Sequence, residues 1–126
     1  MEINDPATLA EVNLAFDAYE RALTSNNTPE LDRLFWNSPH TLRYGATENL
    51  YGIEKIRAFR IARLGKNLQR EVIERAVTSF GREFAVANIA FRRAGETRIG
   101  RQTQSWVRLP EEGWQVVAAH ISWMDA

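Results

Sequence analysis

The chain has 126 residues, of which 25% are charged and 44% hydrophobic, an ordinary composition for a globular protein. This length predicts one domain spanning residues 1–126, because most domains contain about 100–150 residues. Sixteen basic and sixteen acidic side chains cancel, which argues against nucleic acid as a partner, and the lack of cysteine excludes disulfides, thiolate metal sites and cysteine nucleophiles.

Helical periodicity is found in the first half of the chain. A first helix is predicted to begin after Asp5, which can cap it, with Pro6 at the first helical position. Its apolar face follows steps of three and four residues: Leu9, Val12, Phe16, Tyr19 and Leu23. A short second helix is predicted over residues 28–35, and a third over about residues 53–64, with Gly65 as its end signal.

Strand patterns dominate the second half. Two short strands are predicted at residues 40–44 and 49–51, before the third helix. Four longer segments rich in Val, Ile, Phe, Thr and Trp follow, separated by short breaks with glycine or proline: residues 71–80, 84–93, 98–109 and 114–124. Such short connections predict an antiparallel meander. Together these elements predict an α+β fold, with three helices against one face of a curved, mostly antiparallel sheet.

The last predicted strand is apolar on both of its faces. Strict alternation places one set on one face: Trp114, Val116, Ala118, His120, Ser122 and Met124. It places the other set on the opposite face: Val117, Ala119, Ile121 and Trp123. A strand with one face in water should alternate between apolar and polar residues. We therefore expect the outer face of the sheet to be covered, most simply in a homodimer.

Several classes of protein and site lack support in the sequence. The N-terminal residues 1–6 have neither the basic flank nor the apolar run of a secretory signal, and no segment approaches the roughly 20 apolar residues that cross a bilayer. A soluble cytoplasmic protein without a membrane partner is expected. Two histidines without a consistent spacing of acids predict no metal site. There is also no Gly-rich phosphate loop and no Ser nucleophile elbow.

Arg43 and Tyr19 are the two strongest candidate site residues. In its predicted strand, Arg43 points away from the face of Leu42 and Tyr44. If it faces inward, it must meet an acid or an anionic ligand, since an unpaired buried guanidinium is very costly; the alternative is a surface arginine on an edge strand. Tyr19 lies in the apolar face of the first helix, so it is either a core tyrosine bonded to the backbone or a functional hydroxyl.

Four further residues are candidates for contact with a ligand. Gln104 and Trp106 share one face of their strand with Gln102, and the sequence leaves open whether this face lines a pocket. His120 is either a satisfied core histidine or a ligand contact. Arg57 is either solvated or leans over the mouth of a cavity.

Several segments resemble one known family. They are residues 34–45, 48–52, 56–60, 100–106 and 117–120, and the most distinctive blocks are Phe-Trp-Asn-Ser-Pro-His at 35–40 and Arg-Gln-Thr-Gln at 101–104. They are similar to the AtzH-like family, which includes the HpxZ proteins associated with oxalurate breakdown and belongs to the SnoaL-like, nuclear-transport-factor-like superfamily. The resemblance covers essentially the whole chain. It implies a cystatin-like cone, in which the sheet wraps around the helices, and a homodimer.

The resemblance also implies an activity that needs no cofactor. It is that of a decarboxylating amidohydrolase on a small carboxylated urea or amide, either 1,3-dicarboxyurea, which gives allophanate, or a ureide of the oxalurate pathway. The family's functional tyrosine and arginine match Tyr19 and Arg43 by their motifs. In this hypothesis Arg43 binds a substrate carboxylate and Tyr19 is the general acid. The rest of the small anionic substrate would contact His120, Gln104, Trp106 and Arg57.

Two alternatives remain open at this point. The first is a non-catalytic protein that binds small carboxylates or assists ureide and oxalurate breakdown. The second, an isomerase or dehydratase acting on a polycyclic ketone, is less favoured, because the aspartate base of ketosteroid isomerases has no counterpart among the predicted inward positions.

Overall fold

The computed structural model describes residues 1–63, 65 and 68–126. Within them the helices are α1 (Pro6–Thr24), α2 (Thr28–Leu34) and α3 (Ile53–Ala62). The strands are β1 (Leu42–Tyr44), β2 (Asn49–Tyr51), β3 (Arg70–Phe80), β4 (Phe84–Arg93), β5 (Ile99–Leu109) and β6 (Gly113–Met124). Leu64, which the sequence analysis includes in the third helix, lies outside the described residues.

The first two helices begin where their capping residues require. The Asp5 carboxylate accepts hydrogen bonds from the Thr8 amide at 3.1 Å and the Thr8 hydroxyl at 2.7 Å. Asn27 caps α2 by accepting from the Glu30 amide at 3.2 Å. Proline follows each cap within the first two helical positions, where its missing N–H has no intrahelical partner to lose.

All six strands form a single mixed sheet in the order β2-β1-β6-β5-β4-β3. The β3–β6 meander is antiparallel throughout, as the sequence predicts. The short strand β1 pairs with β2 in antiparallel and with β6 in parallel orientation. The sheet does not close on itself, so β2 and β3 are its edges.

A β-bulge in β6 changes how its two-sided apolar pattern is interpreted. Ser105 of β5 pairs with Ala118, and the next residue, Trp106, pairs with Val116, so Val117 is left without a partner. A bulge inserts one residue and reverses the alternation beyond it. Trp114 and Val116 before the bulge are therefore buried, and so are Ala119 and Ile121 after it. The strict alternation assumed from the sequence is wrong across Val117, and the homodimer that it suggested stays a prediction.

The three helices cover the inner face of the curved sheet. Helix α1 packs on β3 and β6, and α3 packs on β1 and β2. The core between them includes Phe16 of α1, Phe35 after α2, Phe91 of β4 and Trp106 of β5, none of which is more than 1% exposed. Burial of such side chains stabilises the fold by about 1.5–3 kcal/mol each. No helix among the described residues combines the length and the apolar character that crossing a bilayer requires.

Candidate functional site

Arg43 projects from β1 toward the helices. It pairs with Leu50 of β2 and with Ala119 of β6, and its side chain is 10% exposed. Its neighbour Ala119 is also buried, so this register position faces the core. Of the two orientations left open by the sequence, the structure therefore has the inward one.

The guanidinium of Arg43 has an acidic partner. Its Nη1 donates to Oε1 of Glu48 at 3.0 Å, across the turn that joins β1 to β2. The other carboxylate oxygen, Oε2, accepts from the Thr47 hydroxyl at 2.7 Å and its amide at 3.3 Å. Burial alone would raise the pKa of Glu48, but the bonds from Thr47 and Arg43 outweigh it and lower this pKa from its ordinary value. Glu48 is therefore ionised at neutral pH.

A cavity of about 200 Å³ opens beside this ion pair. It is smaller than pockets for drug-sized ligands, which hold about 300–1,000 Å³. Its charged wall residues are Arg43, Arg63, Arg93 and Glu48. The remaining wall is mainly apolar: Ala46, Thr47, Phe59, Leu68, Ile121 and Trp123. Three positive charges and one negative charge face this small volume, so the cavity favours an anionic ligand.

Aromatic rings form cation–π contacts with the guanidinium groups of the three arginines in the cavity wall. The guanidinium carbon of Arg43 lies 5.3 Å from the centre of the Phe59 ring, and that of Arg63 lies 5.8 Å from the same ring. The guanidinium carbon of Arg93 lies 5.2 Å from the Trp123 ring centre. Cation–π contacts of this kind partly offset the loss of water around a buried cation.

Arg63 and Arg93 are not among the candidate residues predicted from the sequence. The signal for Arg93 is present in β4, where Ala85, Ala87, Ile89 and Phe91 alternate as inward residues and position 93 continues the series. Arg63 directly follows the last residue of α3, where helical periodicity no longer predicts a direction.

Tyr19 is in the core but not in the wall of this cavity. It is 3% exposed, and its ring centre lies 6.3 Å from that of Phe16 and 6.2 Å from that of Phe35. Burial lowers the pKa of both Arg60 and Arg63, and the proximity of Tyr19 acts in the opposite direction on both. Tyr19 is therefore within electrostatic range of the arginine cluster.

The row of Gln102, Gln104 and Trp106 faces inward, which resolves the alternative that the sequence left open. Gln102 is 2% exposed, and the other two side chains are fully buried. Nε1 of Trp106 donates to Oε1 of Gln104 at 3.1 Å, and Arg70 donates to Oε1 of Gln102 at 3.2 Å. Neither glutamine Nε2 has a hydrogen-bond partner within the described part of the chain. None of the three is in the wall of the 200 Å³ cavity.

The structure does not bring His120 or Arg57 to this cavity. His120 pairs with Tyr44 in β1 and Thr103 in β5, one residue out of phase with Arg43, so it is exposed on the outer face. Arg57 points outward on α3 and pairs with Glu54 at 3.3 Å. Arg60, one turn later, is the buried arginine of α3 and pairs with Asp32 at 3.0 Å. The grouping of His120 and Arg57 with Arg43 therefore has no geometric support.

A larger depression of about 410 Å³ lies on the outer face, beside His120. Its charged wall residues include one acid, Glu74, and one arginine, Arg101. It therefore lacks the excess of positive charge found in the inner cavity. Among the residues that the structure describes, no three His, Asp or Glu side chains come together in a way that could hold a metal ion.

Comparisons with known proteins identify one family and several solved structures that are similar to this chain. A model of the AtzH-like family matches residues 1–126. A crystal structure from Pectobacterium atrosepticum, of a protein with unknown function from the DUF3225 family, has 52% sequence identity and a TM-score of 0.95, over 98% of this chain and 95% of that chain. A cystatin-like fold protein from Burkholderia xenovorans has 41% identity and a TM-score of 0.96, over 100% and 98%.

A more distant structure shares the fold alone. It is a nuclear transport factor 2-like protein from Salmonella enterica, with 23% identity and a TM-score of 0.76, over 95% of this chain and 92% of that chain. No curated protein matches the sequence. The family resemblance and the expected cystatin-like α+β fold are both confirmed.

Proposed function

The chain belongs to the AtzH-like family, and we propose that it is a cofactor-independent enzyme that decarboxylates a small carboxylated urea or amide. The observation that carries this proposal is the small cavity with three arginines and one glutamate in its wall. In a site shielded from water, charge interactions are much stronger than in bulk solvent. A small anion with more than one carboxylate suits both the volume and the charge.

Arg43 is proposed to hold the carboxylate that reacts. Glu48 uses only Nη1 of its guanidinium, and no other partner of this group is found among the described residues. The remaining N–H groups form a planar edge that matches a carboxylate in a bidentate contact. The substrate carboxylate would thus lie beside Glu48 or displace it.

Tyr19 is proposed to supply the proton that decarboxylation needs. The bond between the urea nitrogen and the carboxyl carbon breaks, its electron pair stays on nitrogen, and CO₂ leaves. Because Tyr19 lies outside the cavity wall, this step requires the substrate nitrogen to reach the Tyr19 hydroxyl from the cavity. The hydroxyl then protonates that nitrogen and recovers its own proton from water. General acid catalysis of this kind contributes about 10²–10⁴ in rate. With 1,3-dicarboxyurea as substrate, the products are allophanate and CO₂.

One observation favours a second candidate, a binding protein that releases small carboxylates unchanged. The wall of the cavity contains groups that bind anions, whereas Tyr19 lies outside it. Incubation of the pure protein with 1,3-dicarboxyurea, oxalurate and allophanate, while CO₂ and ammonia are monitored, separates the two. Product release supports the enzyme, and saturable binding without product supports the binding protein.

A further inference from the structure

The arginines behind the inner face of the sheet fall into two groups. Arg43, Arg60 and Arg70 each form an ion pair with one carboxylate, those of Glu48, Asp32 and Glu20 respectively. Arg63 and Arg93 are half-buried, yet no carboxylate oxygen of the described residues lies within 4.0 Å of either guanidinium. Both line the 200 Å³ cavity.

Hydrogen bonding at these two arginines is also incomplete. Nε of Arg63 and Nε of Arg93 are buried and have no acceptor within the described part of the chain. Buried polar groups in folded proteins almost always have a partner, and those that do not often mark the place of a missing ligand or ion. The rings of Phe59 and Trp123 stabilise the positive charges, but a ring does not replace an acceptor in the plane of the guanidinium.

Repulsion between the arginines adds to the cost of this arrangement. Burial and then the charge of Arg43 lower the pKa of Arg63. Burial, followed by the charges of Arg70 and Arg43, lowers the pKa of Arg93. An arginine nevertheless stays protonated at neutral pH, so the positive charges persist until an anion offsets them. Glu48 is bonded to Arg43, and the only carboxylate that acts on the pKa of Arg93 among the described residues is that of Glu96, whose effect is smaller than those of burial, Arg70 and Arg43.

We propose that Arg63 and Arg93 form a second carboxylate subsite, which makes the cavity selective for dicarboxylates over monocarboxylates. One carboxylate binds at Arg43, and the other accepts hydrogen bonds from Arg63 and Arg93. The identity of the natural dicarboxylate rests on the proposed function, whereas the subsite itself rests on Arg63 and Arg93, whose buried Nε atoms have no acceptor among the described residues.

Calorimetric titration with malonate and acetate tests the subsite without any turnover. The wild-type protein is expected to bind malonate at least about tenfold more tightly than acetate. Arg93→Gln and Arg63→Gln are each expected to weaken malonate binding about tenfold and to change acetate binding little. Arg92→Gln is the matched control, because Arg92 is exposed on the same strand and does not line the cavity.

Two results would overturn the subsite: equal affinities of the wild type for malonate and acetate, or Arg93→Gln and Arg63→Gln behaving like Arg92→Gln. Circular dichroism establishes that each variant is folded. Should Arg93→Gln not fold, Arg93→Lys keeps the charge, loses the planar fork and is expected to weaken malonate binding selectively. Dicarboxylate selectivity without turnover would retain the subsite and reject the catalytic proposal. Turnover with an unchanged KM in Arg63→Gln and Arg93→Gln would retain the catalytic proposal and reject the subsite.

Discussion

Nη1 of Arg43 and Oε1 of Glu48 lie 3.0 Å apart, across the turn between β1 and β2 and at the wall of the arginine-lined cavity. An inward Arg43 was expected to meet an acid or an anionic ligand, and its partner is an acid, Glu48. This pairing counts against the sequence-based hypothesis, which depends on an Arg43 that only a substrate carboxylate neutralises. Glu48 is an internal anion at the position proposed for a substrate carboxylate. A ligand at Arg43 must therefore share the guanidinium with Glu48 or displace it.

Removing the charge of Glu48 is expected to strengthen anion binding. In Glu48→Gln the cavity keeps three guanidiniums and loses its single negative charge, so malonate affinity should rise about tenfold, or about 1.4 kcal/mol. Glu54→Gln is the control, since Glu54 pairs with Arg57 outside the cavity. Calorimetric titration measures both variants, and an unchanged or weaker malonate affinity in Glu48→Gln would contradict the role of Glu48 as a competitor.

Gly45→Ala offers a second route to the same effect. A Cβ atom at position 45 would come within 1.7 Å of Oε1 of Glu48, which is the flexible end of that side chain, and within 3.1 Å of Nη1 of Arg43. The closer contact is with the carboxylate, which has to move further. The new methyl group should therefore push the carboxylate away from Arg43 and increase malonate affinity in the same direction as Glu48→Gln. Combining the two substitutions should give little further gain, because both act on one contact. An additive gain in the double variant would show that they act separately.

The Glu48 ion pair also predicts a pH dependence of stability. A carboxylate whose pKa is lowered in the folded state stabilises the protein above its unfolded pKa, near 4.5, and this contribution is lost as the pH falls through the folded value. The wild type should exceed Glu48→Gln in free energy of unfolding by about 1–2 kcal/mol at pH 7. In urea unfolding, this difference should shrink progressively below pH 4.5. A difference that stays constant down to acid unfolding would show that it does not arise from the ionised carboxylate of Glu48.

Tyr19→Phe separates the catalytic hydroxyl from the packing of its ring. The ring contacts with Phe16 and Phe35 remain in this variant, so thermal stability and malonate binding should change little. If Tyr19 is the general acid, turnover should fall about 10²–10⁴-fold. Tyr44→Phe is the control, since its hydroxyl bonds Tyr51 at an exposed position. Normal turnover by Tyr19→Phe would rule out this role.

Gly100→Ala tests the packing beneath the site. A Cβ atom at Gly100 would approach the buried ring of Phe91 to 2.2 Å, and this ring also lies against Arg70 and Trp123. Overpacking of a core typically costs about 1–3 kcal/mol. Arg101→Ala, at the exposed neighbouring position, should stay within about 0.5 kcal/mol of the wild type. Equal urea midpoints for the two variants would refute the close contact.

The sequence predicted the bounds of helices and strands better than it predicted the directions in which their side chains point. Alternation and breaking residues give β4 the same bounds, 84–93, in prediction and structure. The three-residue strand β1 is too short for its pattern to decide which way Arg43 points. The bulge at Val117 has no sequence signature here, and it moved His120 to the outer face against the prediction.

For a related reason, the sequence could not predict which charged residues form ion pairs with one another. The pairing of Arg60 with Asp32 joins residues 28 positions apart, and that of Arg70 with Glu20 joins residues 50 positions apart. Such contacts depend on how helices pack on the sheet, which local periodicity does not encode. Arg63 and Arg93 stand out only after these pairs have been assigned.

The most direct test of the account is CO₂ release from 1,3-dicarboxyurea by the wild type, Tyr19→Phe, Arg43→Ala and Arg57→Gln. The account predicts release by the wild type and Arg57→Gln, and a loss of at least about a hundredfold in the other two. Wild-type rates in both Tyr19→Phe and Arg43→Ala, or no release by the wild-type protein, would contradict it.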